Sequence, residues 1–149
     1  MRFQNPDVLF ETGSSRLRPA YQAVLADFFP RYLRVLGRFR DSIEEVRIEG
    51  HTSSVWNSST DSDVAYFKNM RLSQDRTTAT LEYLQGLPEL APERDWIRRH
   101  VSAIGYSSSR LIRDSAGSED EVRSRRVTFR VVTNAETQIR KILELEPAR

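Results

Sequence analysis

An α/β sandwich, with helices packed on one face of a mixed four-stranded sheet, is the fold class that this sequence predicts. Three observations point to it. From Pro19 onward, apolar residues recur at spacings of three and four, the period of a helix with a broad buried stripe. Short runs at 43–49, 101–104 and 127–132 approximate the alternation of strands, and two of them meet glycines, Gly50 and Gly105. The helical and extended segments follow one another along the chain, which favours layers of helix on sheet over an all-helical or all-strand core.

Taken in order, Val8-Leu9-Phe10 reads as a first strand, closed by the turn-forming Glu11-Thr12-Gly13-Ser14-Ser15. Pro19 suits the first turn of a helix, where its fixed φ helps and its missing N–H has no partner to lose. Val24, Leu25, Phe28, Phe29, Tyr32, Leu33, Leu36 and Phe39 outline that helix, with a kink or break expected at Pro30. Ile43, Val46 and Ile48 then form the apolar side of a strand that Gly50 is expected to end. Residues 53–63, rich in Ser, Thr, Asn and Asp, read as a loop carrying Trp56. Ser73 fits a helix N-cap and Asp75 a first turn, with Thr77, Thr78, Leu81 and Leu84 as the inward stripe and Gly86 and Pro88 as the stop. A short helix over 92–99 leads to a third strand at Val101, Ala103 and Ile104. Residues 107–109 and 114–120 are loops, Val127, Phe129 and Val131 mark the last strand, and Ile139, Ile142, Leu143 and Leu145 outline a C-terminal helix within 133–149.

With 149 residues and 38% hydrophobic content, the chain is expected to fold as one domain over 1–149. Its 23 basic and 21 acidic residues are interleaved, which is not the basic field of a nucleic-acid binder, so no nucleic-acid partner is expected. No run approaches the roughly 18–20 apolar residues that span a bilayer, and the segment from Met1 to Pro6 lacks a signal peptide's apolar region. The chain begins close to its first strand, so an upstream anchor or targeting segment is expected outside it. The absence of cysteine excludes disulfides and thiol catalysis. With only His51 and His100 as imidazoles, neither a metal site nor a cofactor is expected.

Function is expected where Gly50-His51-Thr52-Ser53 ends a strand and Asn69 to Arg76 approaches a helix start. Arg76 in a first helical turn would share an anion with free helix N–H groups; the alternative is a surface arginine paired with Asp75 or another acid. His51 is either a pH-responsive group or a hydrogen-bonded turn residue. His51, Ser53, Ser54 and Asp61 contain the ingredients of a hydrolytic triad, but no Gly-x-Ser-x-Gly elbow is present and no enzyme is expected. Trp56 is a lid over a pocket, an interaction hot spot or a cover for the core edge. Arg123, Arg125, Arg126 and Arg130 cluster behind Glu119, Asp120 and Glu121, which favours a salt-bridged face over a nucleic-acid patch.

The ordered set Val8-Leu9-Phe10 with Leu17 and Pro19, Ile48-Glu49-Gly50-His51-Thr52, Asn69-x-x-Leu72-Ser73-x-x-Arg76, Ile104-Gly105-Tyr106 and Arg125-Arg126-Val127 resembles the OmpA-like domain. That module is shared by outer-membrane protein A, Pal lipoproteins and the flagellar stator protein MotB, and the match covers about residues 8–132. The resemblance implies a βαβαββ fold with a C-terminal helix and a noncatalytic grip on the diaminopimelate of a peptidoglycan stem peptide. In the family an Asp directly after the Gly-His-Thr meets the ligand's ammonium, and the Arg matched by Arg76 meets a carboxylate. Ser53 stands at the first of these positions as a neutral hydroxyl. The loop between the motifs is longer than usual and carries Asp61 and Asp63, each a candidate for the missing charge. Arg125 borders the ligand region in the family and is a secondary candidate.

The resemblance further implies a periplasmic domain of a stator-like protein, tethered to the inner membrane by an N-terminal helix, acting as a homodimer and working with a membrane motor subunit. The variant Gly50-His51-Thr52-Ser53-Ser54 points to the motor-like antiphage defence systems of the Zorya kind. The alternative is an OmpA-like domain that has lost peptidoglycan binding and serves as a dimerisation or protein-interaction module.

Overall fold

The computed structural model describes residues 1–4 and 6–145. Its strands are Arg2–Gln4 (β1), Ile43–His51 (β2), Val101–Gly105 (β3) and Arg126–Thr133 (β4). They form one mixed sheet in the order β1-β4-β2-β3, with β2 parallel to β3 and antiparallel to β4, and β1 antiparallel to β4. The helices are Pro6–Leu9 (α1), Pro19–Leu36 (α2), Ser62–Gly86 (α3), Arg94–His100 (α4), Glu121–Ser124 (α5) and Ala135–Leu145 (α6). The predicted fold class is the one observed.

Alternation along β2 divides the sheet into two unlike faces. Val46, Ile48 and Gly50 pair with Val131, Phe129 and Val127 on the helix side. Phe129 lies there against Phe3, Phe28, Phe29 and Tyr32. Tyr21, Leu25, Phe29 and Leu33 of α2 are buried in the same core, each apolar side chain of that size contributing about 1.5–3 kcal/mol. On the opposite face Arg47, Glu49 and His51 pair with Arg130, Thr128 and Arg126.

Helix α3 crosses the parallel pair at Gly50 and Gly105, which are register partners. A Cβ at Gly50 would stand 2.7 Å from the Ser73 carbonyl oxygen, and one at Gly105 would stand 2.4 Å from the Gln74 nitrogen. Only glycine lets the helix backbone lie this close to the strands. The consequence is that Asn69, Leu72 and Arg76 of α3 are set beside the end of β2.

Several expectations are corrected. Val8-Leu9-Phe10 is not a strand: α1 ends at Leu9 and Phe10 makes only an isolated bridge to Leu17. The first strand is instead β1, whose Phe3 pairs with Val127; a short apolar run cannot by itself be told from a buried helical turn. Helix α2 passes through Pro30 without a break, and β2 continues past Gly50 to His51. Helix α3 begins at Ser62 with Asp61 as its N-cap, not at Ser73. Its inward face is Ala65, Asn69, Ser73, Arg76, Thr77, Thr80 and Leu84, too polar to register as an apolar stripe. In the C-terminal helix, Leu143 and Leu145 are helical in backbone, and residues 146–149 lie outside the described residues.

Candidate functional site

Beyond β2 the chain leaves His51 and enters the loop that holds Thr52 and Ser53. Its position is tied down from several sides. The Thr52 N–H donates to the Ser107 carbonyl at 2.9 Å, and Asn69 Nδ2 donates to the Ser53 carbonyl at 3.2 Å. Ser107, wholly buried and in the left-handed region at φ 53°, also donates from its N–H to Ser73 Oγ at 3.1 Å and from its hydroxyl to the Tyr66 carbonyl at 2.6 Å. A non-glycine residue held at positive φ is retained only where its surroundings over-determine it. Ser107 therefore locks the strand end to α3.

The loop and α3 border an open cavity of about 190 Å³ lined by Thr12, Gly13, Thr52, Ser53, Val55, Trp56, Asn69, Leu72, Arg76 and Arg125. Arg76 is buried at its base. Its Nε donates to the Ser14 carbonyl at 2.9 Å and its guanidinium lies 4.9 Å from the centre of the Phe10 ring. It belongs to the middle of α3, so the expected partnership with free N–H groups of a helix start does not arise. Arg125 is half-buried, and its Nε has no hydrogen-bond partner among the described residues. Lys68 places its ammonium 5.5 Å from the Trp56 ring at the rim.

Of the residues singled out in the sequence, Thr52, Ser53, Trp56, Asn69, Leu72, Arg76 and Arg125 come together around this cavity. Ser73 supports it from behind, its hydroxyl donating to the Met70 carbonyl at 3.0 Å and accepting from Ser107. Asp61 and Asp63 are not brought to it. Asp61 caps α3 by accepting the Asp63 N–H at 2.9 Å, about 12 Å along the helix from Asn69. The chain spends these acids on starting the helix.

His51 also lies apart, buried with its Nε2 3.5 Å from Glu49 Oε2 and its ring stacked on Tyr106 at 5.2 Å. Burial, reinforced by Arg126, Arg110, Arg130 and Arg2, lowers its pKa to about 3, so the imidazole is neutral. Burial likewise lowers Arg126 to about 10, with Arg2 adding to the effect and Glu49 opposing it. Because His51 faces Glu49 while Ser54 bonds to Glu119, the serine, histidine and acid of a triad do not converge.

Sequence reasoning missed Thr12, Gly13 and Val55 in the lining, Ser14 and Phe10 beneath Arg76, and Ser107. The turn at Gly13, with φ 65°, was visible as a turn. Nothing local tied it to an arginine 62 positions away.

The mixed four-stranded sheet with its helices, and the pocket at the end of its interior strand, place the chain among the OmpA-type domains. The pattern of the OmpA family matches residues 9–125, and the chain belongs to that family. Within it, the chain is 54% identical over 144 residues to the Zorya protein ZorB of Escherichia coli, covering 97% of this chain and 61% of that protein. It thus spans about three-fifths of the curated relative it matches. Among solved structures, the periplasmic domain of Helicobacter pylori MotB shares the fold at a TM-score of 0.58 and 18% identity, over 98% of this chain and 85% of that one. A MotB-like protein from Desulfovibrio vulgaris aligns with a TM-score of 0.57 and 26% identity, over 87% of this chain and 70% of that one.

Proposed function

We propose that this domain is a noncatalytic peptidoglycan anchor of a stator-like membrane protein. The observation that carries the proposal is the convergence of Thr52, Ser53, Asn69, Leu72 and Arg76 on one cavity. Arg76 offers a guanidinium to a carboxylate of the stem-peptide diaminopimelate, and the loop hydroxyls and Asn69 offer neutral hydrogen-bonding groups to the rest. The mechanism is static: the pocket holds the cell wall so that force from a motor subunit has something to act against. The 54% identity to ZorB supports the stator-like antiphage assignment. As part of the same reading, the domain lies in the periplasm, tethered to the inner membrane, and acts as a homodimer with a motor subunit.

The test is co-sedimentation with purified peptidoglycan. The unmodified domain is expected in the pellet, and Arg76→Glu is expected to remain in the supernatant. Because Arg76 also supports the Ser14 turn, its folding is checked by circular dichroism and thermal melting. Trp56→Ala, at the exposed rim, removes pocket surface without entering the core and is expected to weaken retention several-fold. No retention of the unmodified domain at any concentration overturns the proposal. That outcome would favour the interaction-module alternative, which has its own support in the solvent-exposed Ile139 and Ile142 of α6.

A further inference from the structure

Two parts of the pocket lining differ in what they can neutralise. Arg76 is one. In the other, Ser53 is buried with its carbonyl already bonded to Asn69, and Thr52 is buried with its hydroxyl lacking a hydrogen-bond partner among the described residues. The nearby acids are turned elsewhere. Glu119 accepts the Ser54 N–H at 2.8 Å and the Ser54 hydroxyl, and Ser54 is the one residue of 52–56 that does not line the cavity, so Glu119 sits behind the loop. Asp61 caps α3. Among the described residues, the charged side chains lining the cavity are Arg76 and Arg125, both cationic.

A ligand ammonium brought to Thr52 and Ser53 would shed water against two neutral hydroxyls, in a cavity whose charged lining residues are both cationic. Such burial of an uncompensated charge is unfavourable. An amide meets no such penalty. Its N–H and C=O are both served by hydroxyls, each of which donates and accepts. We infer that the Thr52–Ser53 part of the pocket takes an acylated amine, so that the site prefers cross-linked stem peptides, whose diaminopimelate side-chain nitrogen is an amide, over stem peptides in which that amine is free. This rests on the peptidoglycan reading above and specifies which form of the wall the site recognises. The carboxylate of the same residue remains matched by Arg76, and Ser53 becomes a specificity-determining position.

The experiment titrates the intact domain with two soluble probes, a stem peptide bearing a free diaminopimelate amine and the same peptide acetylated on that amine, alongside co-sedimentation with whole peptidoglycan. The acetylated probe is expected to bind at least about tenfold more tightly, equivalent to about 1.4 kcal/mol. Ser53→Asp is expected to reverse the order. Sedimentation with equal or tighter binding of the free-amine probe overturns this inference and leaves the anchoring function standing. In that event, loss of the free-amine preference in Glu119→Gln would assign the compensating charge to Glu119. Failure of the domain to sediment overturns both, whereas sedimentation without binding of either probe overturns this inference alone.

Discussion

His51 shows how a family motif residue can stand beside the pocket without lining it. Its imidazole faces Glu49 and stacks on Tyr106, and Arg126, Arg110, Arg130 and Arg2 join burial in holding its pKa near 3. In the unfolded chain the same group titrates near 6.5. Above that value both states carry a neutral ring and His51 adds no pH dependence. As pH falls from about 6.5 towards 3 the unfolded state takes up a proton that the folded state refuses, so stability declines, by at most about 1.4 kcal/mol per pH unit. Urea unfolding at several pH values between 6.5 and 4.5 should show this slope in the unmodified domain and a shallower one in His51→Asn. Equal slopes would mean that the folded imidazole protonates normally. The motif around His51, Asn69, Leu72 and Arg76 was legible because its residue types recur at fixed spacing. Ser107 was not, since its role depends on a positive φ and on bonds to Ser73, Tyr66 and Thr52 that no local pattern encodes.

At the scale of elements, α3 is the informative case. Its N-cap was placed twelve positions too late, at Ser73 instead of Asp61, because the buried face holds Asn69, Ser73, Thr77 and Thr80 where periodicity expects Leu or Val. Glycines on the strands, rather than apolar bulk on the helix, make that contact possible. Gly105→Ala should therefore be destabilising by about 1–3 kcal/mol, since the added methyl meets backbone that cannot step aside. A thermal melt unchanged by this substitution would show that α3 can lift from the sheet. At the other end of the helix, Asp61→Ala should lower stability by about 1 kcal/mol through loss of the N-cap. Its peptidoglycan retention should match the unmodified domain, because Asp61 lines no part of the pocket; a large drop in retention would return this acid to the site. By contrast α2, β2, β3 and β4 were legible, each having an apolar face whose period survives in the sequence.

For the molecule as a whole, layer order and sheet character followed from the pattern, whereas β1 did not. Arg2–Gln4 is short and qualifies as a strand only because β4 offers it a ladder, with Phe3 inserted among Tyr21, Phe28 and Phe129. Such a segment is defined by its neighbours. The same topology has a mechanical side. Thr52 and Ser53 continue directly from β2, which is an interior strand hydrogen-bonded to β3 on one edge and β4 on the other. Tension entering at the pocket and running along β2 would load two ladders together in shear, instead of peeling an edge strand one bond at a time. In the proposed anchor, the pocket loop is thus attached to the part of the sheet best suited to bear a pull.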